Sequence, residues 1–148
     1  LANTKDLAAN VFANCPNITE IIIEDGNEFF FEIDHLIYRK ASATSTYYTL
    51  VVANRNFNGV ATILKDTTGT LSSIDASAFI DTTLSGIRFT TSAHITYVSD
   101  TLFDKVPEGF KVYIPNGQTN YFVGMYNTKW SAAFKALVST MIVEDEAQ

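Results

Sequence analysis

The chain has one cysteine, Cys15, so no internal disulfide can form. The neighbours Asn14, Pro16 and Asn17 supply no basic group to activate the thiol, which is expected to be a buried structural residue. Basic residues are also scarce, ten against sixteen acidic, and they are scattered. A net charge of −6 makes the chain a poor candidate for binding a nucleic-acid phosphate backbone and disfavours an anionic membrane surface. No apolar run approaches the roughly 20 residues that span a bilayer. The chain opens on Leu1 with no charged n-region and no apolar h-region, which reads as a processed or trimmed chain.

Motifs of catalysis are missing too. There is no G-x-S-x-G, P-loop or G-x-G-x-x-G. The two histidines, His35 and His94, lie far apart and form no zinc-ligand spacing; they are expected in turns or at the surface. Asp25, Asn27 and Glu28 offer oxygen ligands but lack the alternation and distal Glu of a calcium loop, so a turn is expected there. Glu20, Glu24, Glu28 and Glu32 do not by themselves define a glycosidase pair, which needs two carboxylates across one cleft. Asn17-Ile18-Thr19 fits the N-glycosylation pattern, but Asn and Thr are also ordinary turn residues. No enzyme activity, cofactor or metal is therefore assigned.

What the chain does have is apolar bulk. Hydrophobic residues make up 47% and charged residues 18%, a globular composition and not a disordered one. At 148 residues one domain with a sizeable core is expected. Three of the eleven phenylalanines are placed with regularity. Leu7 precedes Phe12 by five positions, as Ile74 precedes Phe79 and Val98 precedes Phe103. Eight or nine residues after each Phe comes an apolar pair at alternate positions: Ile21 and Ile23, Ile87 and Phe89, Val112 and Ile114. Phe79 to Phe103 is 24 residues and Ile87 to Val112 is 25. Such a period predicts stacked supersecondary units, each a turn carrying Phe followed by a short strand.

Between the first unit and the rest, Phe29 to Tyr38 and Tyr47 to Val52 read as strands, with the polar 41–46 stretch as a hairpin loop. Asn54 to Gly59 reads as a loop and Val60 to Leu64 as a short strand. Asn116 to Thr119 carries turn and N-cap chemistry. Thr119 to Val138 then reads as a helix, with Tyr121, Met125, Trp130, Phe134 and Leu137 at roughly helical spacing. Met141 to Val143 reads as a last edge strand, blunted by the acidic Glu144 to Glu146.

The residues from Val11 to Ile21, Val-Phe-Ala-Asn-Cys-Pro-Asn-Ile-Thr-Glu-Ile, resemble the AF-x-NC-x-x-L-x-x-I core of BspA-like leucine-rich repeats. Ser73 to Phe79 resembles the S-I-x-x-x-AF opening, and Val112 to Gly117 followed by Tyr121 and Trp130 is similar to the closing VP-x-G…Y…W segment. The second copy departs from the pattern with Asp81-Thr82-Thr83 in place of Asn-Cys, and the third with Asp104 to Pro107. The expected fold is α+β: a short right-handed leucine-rich-repeat-like solenoid. Repeat 1 spans about 7–26, a hairpin insertion about 27–66, further repeats about 71–115 and a helical C-terminal cap 116–148.

The resemblance implies a secreted or cell-surface protein that binds an extracellular host or cell-surface protein, an adhesion-type module without membrane insertion. If the apolar strand positions face inward, alternation turns their neighbours outward. Glu20, Ile22, Glu24, Arg88, Thr90, Lys111 and Tyr113 would then form one exposed partner-binding face. Alternatives are a structural or accessory domain of a larger surface protein and a carbohydrate-binding module.

Overall fold

A computed structural model describes residues 4–5, 7, 11–90, 99–119, 123 and 130–145. Among the described residues the structure is mostly β, with two four-stranded sheets and a helix of ten residues. The strands are β1 (Phe30–Ile33), β2 (Leu36–Lys40), β3 (Tyr47–Ala53), β4 (Val60–Thr62), β5 (Thr70–Ile74), β6 (Gly86–Arg88), β7 (Lys111–Pro115) and β8 (Ile142–Asp145). The helix is α1 (Ala132–Met141). Sheet A has the order β1-β2-β3-β5, antiparallel as far as β3 and parallel between β3 and β5. Sheet B, β4-β6-β7-β8, is parallel throughout.

The segment expected as one strand from Phe29 to Tyr38 folds back on itself. Ile33 pairs with Leu36 across a two-residue turn, Asp34-His35, in which both residues have positive φ (48° and 66°). Tight hairpins favour that geometry, but usually with Asn-Gly or Asp-Gly. Here tertiary bonds hold it. The Asp34 carboxylate accepts the Thr62 N–H at 2.7 Å, His35 O accepts the Asn54 N–H at 2.8 Å, and the imidazole stacks on Phe57 at 4.0 Å. The next connection, 41–46, joins β2 to β3.

From β3 the chain passes to β4 in sheet B, returns to β5 in sheet A, and goes on to β6 in sheet B. Both sheets therefore line one core, with Leu36, Leu50 and Leu71 from sheet A and Ile87, Val112 and Ile114 from sheet B. Tyr38 is fully buried in it, and its hydroxyl oxygen accepts the Leu64 N–H at 2.9 Å. Burial pushes this phenol well above the ordinary tyrosine value. Phe79 and Phe103 stack at 5.8 Å, Phe110 lies 6.0 Å from the first and 5.8 Å from the second, and Phe103 reaches Phe134 of α1 at 6.0 Å. Helix α1 begins at an N-cap, Ser131, whose hydroxyl accepts the Phe134 N–H at 3.1 Å. It buries Phe134, Val138 and Met141, one stripe at helical spacing.

Sheet A has a second apolar cluster: Ile21, Phe30, Ile37, Val51 and Val52, with Leu7, Phe12, Ile18, Ile23 and Phe29 packed against it. This overturns the expected stacking of three equivalent Phe-bearing units. Phe12 belongs to the second cluster, while Phe79 and Phe103 belong to the main core. The expected solenoid with a helical cap is likewise overturned: the described residues form two four-stranded sheets with the ten-residue α1 packed on them. The physical reason lies at Ile21 to Ile23, which had to supply the first rung. That segment forms no strand; its pairing at Ile21 comes from the Asn54 side chain. The antiparallel hairpin β1-β2-β3 takes up the apolar surface that the segment carries. At the C-terminal side, Trp130 precedes α1, and Tyr121 and Met125 lie outside the described residues, as does Val98.

Candidate functional site

Sheet B presents alternate residues to its outer side, because Ala61, Ile87, Val112 and Ile114 point into the core. On the outer side the register sets Thr62, Arg88, Tyr113 and Val143 in one rung across the four strands. Arg88 and Tyr113 are direct cross-strand partners, and the guanidinium carbon lies 5.0 Å from the centre of the Tyr113 ring. A cation over an aromatic face at this distance is worth about 0.5–1 kcal/mol when exposed. Arg88 Nε donates to Asp145 Oδ2 at 2.6 Å, across two strands. Its side chain is 32% exposed and that of Asp145 is 14% exposed. The ion pair is therefore partly shielded from solvent, and it fixes the direction of the guanidinium plane.

Two local features hold this arrangement. Gly86 lies two residues before Arg88 on β6, where an added Cβ would come 2.5 Å from Lys111 O and 3.3 Å from Tyr113 Cε2. The close approach of β6 to β7, with the tyrosine ring laid across it, requires a residue without a side chain. Gly86→Ala is expected to force the strands apart and lower stability by about 1–3 kcal/mol. Thermal unfolding would show it, and an unchanged Tm would mean that the strands accommodate the methyl group. On the other side, Glu144 anchors the end of β8. It accepts the Thr119 hydroxyl at 2.6 Å and the Thr119 N–H at 3.3 Å. The Thr119 hydroxyl bond chiefly holds its carboxyl below the usual glutamate range.

Of the seven residues expected on one face, Arg88, Lys111 and Tyr113 share the outer side of sheet B, and Thr90 is exposed just beyond β6. Glu20, Ile22 and Glu24 sit on the segment that covers sheet A and take no place in sheet B. Ile22 is 64% exposed, and Glu20 accepts a bond from Asn56 Nδ2 at 3.1 Å. The seven residues thus fall on two groups of elements, the first on and beside sheet B. Asp145 completes the first, and sequence reasoning missed it by treating the acidic end only as charge that blunts an edge. Alternation within β8 sets Val143 and Asp145 on one side, but only the register with β7 brings Asp145 to Arg88.

The other candidates are structural. Cys15 is half-buried, not fully buried as expected; its thiol faces Val11 O at 3.8 Å, and its carbonyl accepts a bond from Arg55 at 2.6 Å. His35 occupies the turn described above, and its Nδ1 is buried with no hydrogen-bond partner among the described residues. His94 lies outside the described residues. Asn27 closes the turn at Gly26 by accepting the N–H groups of Phe29 and Phe30, both at 2.9 Å. Glu32 accepts from Asn54 at 2.7 Å. Among the described residues no group of three or more His, Cys, Asp or Glu is placed to hold a metal ion, and no helix is long and apolar enough to cross a membrane. No family model, no curated protein and no solved structure matches this chain.

Proposed function

We propose that the chain is a non-catalytic protein-binding module whose docking face is the outer side of sheet B, centred on Arg88 and Tyr113. The observation that carries this reading is the stacked, oriented pair on adjacent strands, with Asp145 fixing the guanidinium. Arginine and tyrosine are residue types that dominate binding energy when a partner desolvates them. A strand-borne pair is held more firmly than one on a loop, so little ordering accompanies docking. An extracellular or cell-surface setting belongs to the same proposal. Its support is the likeness of the sequence motifs around Phe12 and Phe79 to BspA-like repeats, and a motif likeness assigns no partner.

The test is a panel of purified extracellular-matrix and cell-surface proteins, immobilised and probed with the chain by biolayer interferometry. A binder should weaken at least about tenfold with Arg88→Glu plus Tyr113→Ala, the scale of losing a central anchor. The double variant should keep the far-UV spectrum of the unaltered chain. No binder across the panel, or a binder indifferent to the double variant, would sink the reading.

A further inference from the structure

We infer that Arg88 is a preset carboxylate fork, and that this face docks an acidic peptide segment of a protein partner. The inference rests on the protein-binding reading and adds the chemistry of the partner. Among the described residues Arg88 bonds its own chain through Nε, donating to Asp145 Oδ2 at 2.6 Å. The guanidinium carbon lies over the Tyr113 ring, 5.0 Å from its centre. Among the described residues, neither Nη1 nor Nη2 of Arg88 donates to an acceptor. The side chain remains one-third exposed.

A guanidinium held on one edge and one face has lost most of its rotamer freedom before a partner arrives. Its remaining N–H groups keep the planar geometry that meets the two oxygens of a carboxylate side by side. Charge selects between the oxyanions such a fork can take. Arg88 and Lys111 lie on the same outer side, at paired strands and alternate positions, and Asp145 offsets one of them. On the outward positions of β6, β7 and β8, Arg88 and Lys111 exceed Asp145 by one positive charge, on a chain of net charge −6. That balances a monoanionic carboxylate. A phosphate near its dianionic form would meet repulsion from Asp145. Arg88, stacked on Tyr113, thus accepts an aspartate or glutamate side chain of the partner.

The probe is hexaglutamate, blocked at both ends, titrated into the isotope-labelled chain while arginine Nε–H and backbone amide signals are followed. Saturable shifts are expected at Arg88 Nε and along β6 and β7, weakening as salt is raised. Arg88→Lys keeps the charge and the fold but not the fork, and should bind at least about tenfold more weakly, the scale of a lost charge-assisted pair. A blocked phosphoserine peptide of equal length should bind more weakly than hexaglutamate. Shifts that miss Arg88, an Arg88→Lys variant that binds as well as the unaltered chain, or tighter binding of the phosphoserine peptide would each overturn the assignment. Suppose a protein partner is lost on Arg88→Glu plus Tyr113→Ala, yet hexaglutamate leaves Arg88 unmoved. Then the docking face stands and the acidic partner falls. Hexaglutamate seated at Arg88 with no binder in the protein panel has the opposite meaning.

Discussion

Phe79→Ala is expected to lower the stability of the chain by about 3–5 kcal/mol, the range for truncating a fully buried aromatic residue. Phe79 has no exposed surface, and its ring packs on both Phe103 and Phe110. It also sits in the turn that carries the chain from β5 in sheet A to β6 in sheet B. That turn is pinned beside Phe79 by the Ala53 N–H on Ala78 O, at 2.9 Å. The cavity left by the ring would open between the two sheets, where backbone held on both sides cannot easily collapse inward. Domains commonly have only about 5–15 kcal/mol in total, so the variant stands near the unfolding threshold. Phe12→Ala is the control, since Phe12 is only partly buried and lies in the smaller cluster; its cost should be well below that of Phe79→Ala. Urea unfolding gives the comparison. Equal midpoints for the two variants would mean that the phenylalanines occupy equivalent environments after all.

The spacing that singled out these phenylalanines was informative for two of the three. Phe79 and Phe103 do stack, and Ile87 and Val112, 25 positions apart, are direct partners in sheet B. Both copies present apolar residues at alternate positions, and parallel pairing of short strands brings their outward neighbours Arg88 and Tyr113 together. The first copy has the same letters without the same partner. Ile21 to Ile23 could join a ladder only if a backbone edge met it, and that information lies in distant residues. The break at Asp34-His35 was hidden for a related reason. Neither residue is glycine, so composition gives no turn signal, and the bonds that stabilise the positive φ values come from Thr62, Asn54 and Phe57. Asn54 and Arg55 read as loop residues by composition, yet both are buried and both bind backbone. A polar side chain that stands in for a strand leaves no periodic trace in a sequence.

Asn54→Ala should therefore do something that Phe79→Ala does not: release one segment ahead of the rest. The Asn54 amide is 1% exposed and makes four bonds. Its oxygen accepts the N–H groups of Ile21 at 2.9 Å and Arg55 at 3.0 Å, and its nitrogen donates to Ile21 O at 2.8 Å and Glu32 Oε2 at 2.7 Å. Truncation strips the Ile21 N–H and C=O of these bonds at a buried site, with an expected cost of about 2–4 kcal/mol from unpaired buried groups. The neighbouring Arg55 side chain, 7% exposed, donates to Cys15 O at 2.6 Å, Phe12 O at 2.9 Å and Ile80 O at 3.3 Å. Asn54 and Arg55 thus fasten residues 11–21 to sheet A and to the turn after β5 through side chains, without a strand ladder. Amide exchange of 11–25 should accelerate strongly in Asn54→Ala, while Ile87 and Val112 in sheet B keep most of their protection. Asn54→Asp, which retains acceptors but loses both amide donors and adds a charge near Glu32, should loosen the same segment. A uniform loss of protection across both sheets would show that the segment and the main core unfold as one unit. Selective loss would make the covering of sheet A the least stable part of the molecule, because each of its polar attachments depends on a single side chain where a strand would distribute them along a ladder.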